Sequence, residues 1–91
     1  MIYVDELRKW GPRPGWRWTH SCHLVADTLA ELHAFAKKIG MKRQWFQDHP
    51  KVPHYDLTAK RRAVAVSLGA KEITSRELIL MHRPEEETAI T

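Results

Sequence analysis

The run His54-Tyr55-Asp56-Leu57-Thr58-Ala59-Lys60-Arg61-Arg62 sets an imidazole, a phenol and an acid directly ahead of three cations. If a helix begins there, the cations stand at its wrong end. A helix N-terminus carries roughly half a positive charge and prefers Asp or Glu, so basic side chains there are unfavourable unless an anion offsets them. The free backbone N–H groups of a first turn add a seat for phosphate. On this reading, Lys60 and Arg61 contact a phosphate group, while His54 and Tyr55 shape the pocket or stack on the ligand, and His23 and His33 approach from neighbouring elements.

Two other groups of residues have the chemistry for a site. His20-Ser21-Cys22-His23 places two imidazoles three apart, with His49 and His54 later, and imidazole nitrogen is a zinc ligand. Residues three apart on a strand face opposite sides, and the spacing fits no pattern of two ligand pairs. A packed strand is the better reading of Cys22 and His23, and no metal ligands are assigned. Asp5, His23, Asp27, His54 and Asp56 fall at ends of expected strands or starts of expected helices, where ligand crevices converge. Gathered together, they would hold a divalent metal or act as general acid and base on a phosphoester. Asp27 and Asp56 serve equally well as helix N-caps, and Asp5 as the end of a strand. There is no glycine-flanked serine, Walker loop or metalloprotease helix, so the residues lean away from an enzyme, and no catalytic residue or cofactor is assigned.

The elements that must position these groups follow from periodicity and caps. Ile2 to Asp5 and Ser21 to Ala26 read as strands. Between them Leu7 to Thr19 interleaves glycine and proline with Trp and Arg, which makes a loop or irregular arm. Trp16, Arg17 and Trp18 in that arm suit contact with a base and a phosphate, or burial against another subunit. Thr28 with Glu31 forms a capping box; Leu29, Leu32, Phe35, Ala36 and Ile39 follow at helical spacing and Gly40 ends the helix. Lys42 to Gln47 reads as a third strand, with Trp45 in the core, before a proline-broken passage. A second helix is expected from about Leu57 to Leu68, capped by Asp56 or Thr58 and burying Leu57, Val64 and Leu68. Lys71 to Ile73 suggests a brief strand, and the capping box Thr74-Ser75-Arg76-Glu77 opens a short helix over Leu78 to Met81. The fold class is α+β or α/β: one compact domain over residues 1–83, about three short strands with two main helices and a short C-terminal helix. An arm spans 7–19, and a loose acidic tail 84–91.

A chain of 91 residues, 43% hydrophobic and 29% charged, forms one domain with a modest core, which makes a homo-oligomer an expected partner state. The formal charge of +4 favours anionic partners, yet no block of like charge marks a nucleic-acid tail. One cysteine excludes an intrachain disulfide. The start Ile2-Tyr3-Val4 has no signal-peptide pattern, and no apolar run reaches membrane length. Cytoplasm is the expected compartment.

The ordered motifs Tyr3-Val4-Asp5, His23-Leu24-Val25-Ala26-Asp27, Glu31-Leu32-His33-Ala34-Phe35-Ala36, Ile39-Gly40, Trp45-Phe46-Gln47, His54-Tyr55-Asp56-Leu57, Lys60-Arg61 and Leu68-Gly69-Ala70 resemble a domain-of-unknown-function family, DUF4031. The resemblance runs from Tyr3 to about Ile79. It implies a small accessory protein of the kind found in bacteriophages and some bacteria, in the host cytoplasm where phage-encoded. On that basis the sequence favours non-catalytic binding of a nucleotide or cyclic nucleotide signal, withheld from host defence. A metal-assisted phosphoesterase or nuclease using His23, His54 and the Asp residues is the first alternative. A nucleic-acid- or host-protein-binding inhibitor acting through the Trp-Arg arm is the second.

Overall fold

The computed structural model describes residues 1–9 and 20–81. The Trp16-Arg17-Trp18 arm and the acidic tail over 84–91 lie outside the described residues.

Among those residues the order is β1 (Ile2–Val4), β2 (Arg8–Lys9), β3 (His20–Ala26), α1 (Leu29–Lys38), a 3-10 turn (Arg43–Trp45), β4 (Tyr55–Leu57), α2 (Ala59–Ser67), β5 (Lys71–Glu72) and α3 (Ser75–Ile79). This is an α+β domain with a mixed sheet. β3 is its spine: β1, β2 and β4 pair with it antiparallel, and β5 lies parallel to β1. Alternation along β3 decides the layering. Cys22, Leu24 and Ala26 pack with Val4, Tyr55 and Leu57 under Leu32 and Ala36 of α1 and Ala65 of α2. Val25 turns to the opposite face and meets Ile73, Leu78, Tyr3, Val52 and Met81. Each large aliphatic side chain so buried contributes about 1.5–3 kcal/mol, which in a chain this short leaves the core little surplus.

Both side-chain N-caps form where the spacing predicts them, and at Thr74 the reciprocal capping box is complete. Thr28 Oγ1 accepts the Glu31 N–H at 3.1 Å, and Thr74 and Glu77 exchange side-chain and backbone bonds. At the far end of α1 the Gly40 N–H donates to Lys37 O and the Met41 N–H to Ala36 O. That closure needs a left-handed residue, and Gly40 has φ +84°. A Cβ there would also lie 2.8 Å from Arg61 Nη1.

Several expectations need correction. The sheet has five short strands rather than about three, because Arg8–Lys9 within the expected arm pairs with β3 and because Tyr55–Leu57 forms β4. Lys42 to Gln47 is not a strand: its aromatic residues suggested one, but only Gln47 finds a bridge partner, His54, and Arg43–Trp45 coils into a 3-10 turn. Trp45 is 41% exposed, with the Lys42 ammonium over its ring, and is not core. Finally, Leu57 is buried as a strand residue paired with Cys22, so α2 starts later, at Ala59, under the cap Thr58. With that start its buried residue is Ala65, and Val64 and Leu68 are exposed. Asp56 and Asp27 are not caps: the cap positions are Thr58 and Thr28.

Candidate metal centre

The site begins with an irregularity in the sheet. Val4 pairs with Leu24 and Arg8 with Ser21, so the three residues joining β1 to β2 oppose two of β3. That is a β-bulge, a device that re-aims side chains. At its first residue, Asp5, the backbone N–H still donates to His23 O at 3.3 Å, while the carboxylate turns across to the same residue. Asp5 Oδ1 accepts the His23 backbone N–H at 2.7 Å, and Oδ2 accepts the ring Nδ1–H at 2.8 Å. Ser75 Oγ donates to the same Oδ2 at 3.4 Å. Asp5 is only 2% exposed, and these partners compensate its burial.

β4 brings the other members. His23 and Asp56 are directly paired across β3 and β4, so they share a face. His54, two residues before Asp56, is on that face too, its ring edge-on to His23 with centroids 4.8 Å apart. His54 Nδ1–H donates to Val52 O at 2.8 Å, which leaves Nε2 toward Asp56 Oδ1 at 3.5 Å. Gln47 Nε2 donates to Asp56 Oδ2. One ligand atom each from His23, His54 and Asp56 lies within 4.8 Å of the others. Two ligands on one tetrahedral zinc-like ion stand about 3.4 Å apart, given bonds of about 2.0–2.2 Å, so His54 Nε2 and Asp56 Oδ1 at 3.5 Å already have that spacing and the widest separation must close by about an ångström or more.

The two imidazoles differ in protonation. Burial is the main cause that lowers the His54 pKa below the ordinary histidine value, with His23 and His49 adding to it, so its Nε2 lone pair is available near neutrality. The bond to Asp5 raises His23 against the opposing effects of burial and of Arg8. Burial alone would raise Asp5, but the side-chain and backbone bonds to His23 outweigh it and hold the carboxyl below its usual value.

The residues expected to bind a ligand are divided by the sheet. His23 and His54 come together, with Asp5 and Asp56. His33 and Tyr55 sit on the helix-covered face, where His33 Nδ1 and the Tyr55 hydroxyl share a hydrogen bond of 2.8 Å and His33 meets Phe46 edge-on at 4.6 Å. Burial chiefly, then Arg43, lowers the His33 pKa. Arg61 reaches back to Ile39 O at 2.6 Å and so closes the C-terminal end of α1. Lys60 is exposed on the first turn of α2. Trp16, Arg17 and Trp18 are outside the described residues. Arg62 supports the bulge instead, where its Nε–H donates to Asp5 O at 2.9 Å, and its Nη1 pairs with Glu72 at 3.2 Å. Gln47, Val52 and Ser75 were not legible as contributors, and Arg62 was read only as one of the cations for a phosphate. His54 and Asp56 were, since residues two apart share a face of any strand, had Tyr55–Leu57 been read as one.

Fold and cluster together define a small α+β protein with two imidazoles and a carboxylate converging on the α3 side of a mixed sheet. The family described as Protein of unknown function (DUF4031) matches residues 2–85, and the chain belongs to it. No curated protein and no solved structure matches the chain.

Proposed function

We propose that the protein is a metal-dependent hydrolase whose ion is held by His23 Nε2, His54 Nε2 and Asp56. One observation carries this reading. Both imidazoles have their Nδ1–H committed to acceptors, Asp5 and Val52 O, which leaves each Nε2 to ligate, with His54 Nε2 3.5 Å from Asp56, itself oriented by Gln47, and a ligand atom of His23 within 4.8 Å of both. Outer hydrogen bonds of this kind fix ring tautomer and raise ligand basicity in metal sites. Three protein ligands leave a coordination position open, as in catalytic rather than structural zinc sites, and a bound divalent ion supplies Lewis-acid chemistry toward water or an ester oxygen.

The competing proposal, non-catalytic capture of a nucleotide signal by a phage accessory protein, draws on the net charge of +4 and on Lys60. It has less support at the start of α2, because Arg61 and Arg62 both engage backbone carbonyls.

Calorimetric titration of the full chain with zinc and with manganese, each alone, tests the reading. We expect one ion per chain, and loss of that binding in His54→Ala and Asp56→Asn while the far-ultraviolet circular dichroism stays native. No binding of either ion by the unsubstituted protein would remove the proposal. Recovery of an unaltered nucleotide from the protein after denaturation, with no turnover in the presence of metal, would favour capture instead.

A further inference from the structure

Arg8 is a cation on the same face as the metal cluster. It pairs across the sheet with Ser21, whose side chain alternates along β3 to the side that carries His23. Its Nε–H donates to Ser75 Oγ at 3.2 Å, and Ser75 Oγ in turn meets Asp5 Oδ2, the acceptor of the His23 ring. One bond at Nε holds the guanidinium beside the cluster while the residue stays exposed. A guanidinium presents its remaining N–H groups as a planar fork, the geometry that receives two oxygens of a phosphate. Carboxylates stand nearby as well: Glu6 Oε2 accepts the Ser75 N–H at 3.3 Å, Asp56 belongs to the cluster itself, and Asp5 holds the His23 ring. A divalent ion and Arg8 balance these three acids, so the site is neutral before a ligand arrives. A doubly charged phosphate monoester would bring two uncompensated negative charges, a singly charged diester one, and an uncharged ester would make no use of Arg8.

We infer that the substrate is a phosphodiester, with Arg8 receiving the non-bridging oxygens beside the ion. The inference rests on the metal-dependent reading above. Water adds its oxygen to phosphorus as the P–O bond to the leaving alcohol breaks. One water proton stays with the new phosphomonoester group, and the other ends on the departing alkoxide, giving a monoester and an alcohol.

Three esters with one leaving group separate the charge classes: bis(p-nitrophenyl) phosphate, p-nitrophenyl phosphate and p-nitrophenyl acetate, assayed with the zinc- or manganese-loaded full chain. We expect the largest rate enhancement over the uncatalysed reaction with the diester. Arg8→Ala is expected to raise the KM for the diester about tenfold or more, as loss of a charge-assisted bond should, and Arg8→Lys to restore part of it. Arg8→Gln serves as a second variant if Arg8→Ala melts early. A greater enhancement for the monoester or the acetate, an unchanged diester KM in both Arg8→Ala and Arg8→Gln, or no hydrolysis by protein shown to hold metal would overturn the inference and leave the metal site standing. Absence of metal binding in the titration would overturn both.

Discussion

Asp5 is where a single residue has most leverage, since one carboxylate takes two bonds from His23 and one from Ser75. In metal sites the loss of such an orienting partner lowers affinity about 10–100-fold, and we expect Asp5→Asn to weaken zinc binding by that order in calorimetry. The same pair makes the metal-free protein pH-sensitive. His23 is raised, so its contribution is complete below the unfolded histidine pKa and disappears as pH rises through the folded value. Asp5 is lowered, so its contribution is complete above the unfolded carboxylate pKa and disappears as pH falls through the folded value. Their common window runs from about pH 4 to about pH 6.5. His54 acts in the opposite sense, because a depressed histidine loses stability as pH falls below the ordinary value. Urea unfolding of wild type and Asp5→Asn across this range removes most of the His54 effect by subtraction. The difference in stability should be largest inside the window and shrink at about pH 8. A difference as large at about pH 8 as inside the window would count against an ion pair.

At the scale of elements, α2 explains two of the three cations that open it. Arg61 satisfies a carbonyl at the end of α1 and Arg62 a carbonyl at the bulge, so each meets the negative end of a backbone dipole elsewhere in the fold, and the unfavourable position in their own helix is offset. Arg62 thereby links α2, on one face, to Asp5, whose carboxylate serves the other. Replacing it with Met keeps much of the length and removes the bonds to Asp5 O and Glu72. We expect a loss of about 1.5–3 kcal/mol in denaturant unfolding, as for a hydrogen bond from a charged group, together with weaker metal binding. Stability lost without any change in metal affinity would mean that the bulge does not need Arg62 to hold Asp5 in place. The helices themselves were legible wherever local caps define them, at Thr28, Thr74 and Gly40. β4 was not. Three residues between proline-rich turns and a helix carry too short an alternation to announce a strand, and its existence depends on β3 being available to pair.

For the whole molecule, Cys22 reports on integrity. Burial first, and the charge of Asp5 next, push its thiol up to about 12. An unfolded thiol ionises near 8.5, so at about pH 8 folding cuts the thiolate fraction by roughly a thousandfold or more. Ellman's reagent should therefore react slowly with the folded chain, at a rate that tracks global opening, and at once in denaturant. Rapid reaction under native conditions would place Cys22 outside the β3 core. By linkage, stability should also decline as pH rises past the unfolded thiol value, since only the unfolded chain then releases the proton. The amino-acid sequence by itself determined a single domain of strands and helices, α+β or α/β, its two capped main helices and short third helix, and the presence of imidazoles and carboxylates near element ends, because caps, periodicity and composition act over a few residues. Only the tertiary structure decided which of those groups meet. Strand pairing placed His23 beside Asp56 and brought His54 to them, sent His33 and Tyr55 to the opposite face, and turned Arg61 and Arg62 to backbone carbonyls. Contacts between residues far apart in the chain depend on register, and a one-residue bulge is enough to choose which side chain enters a site.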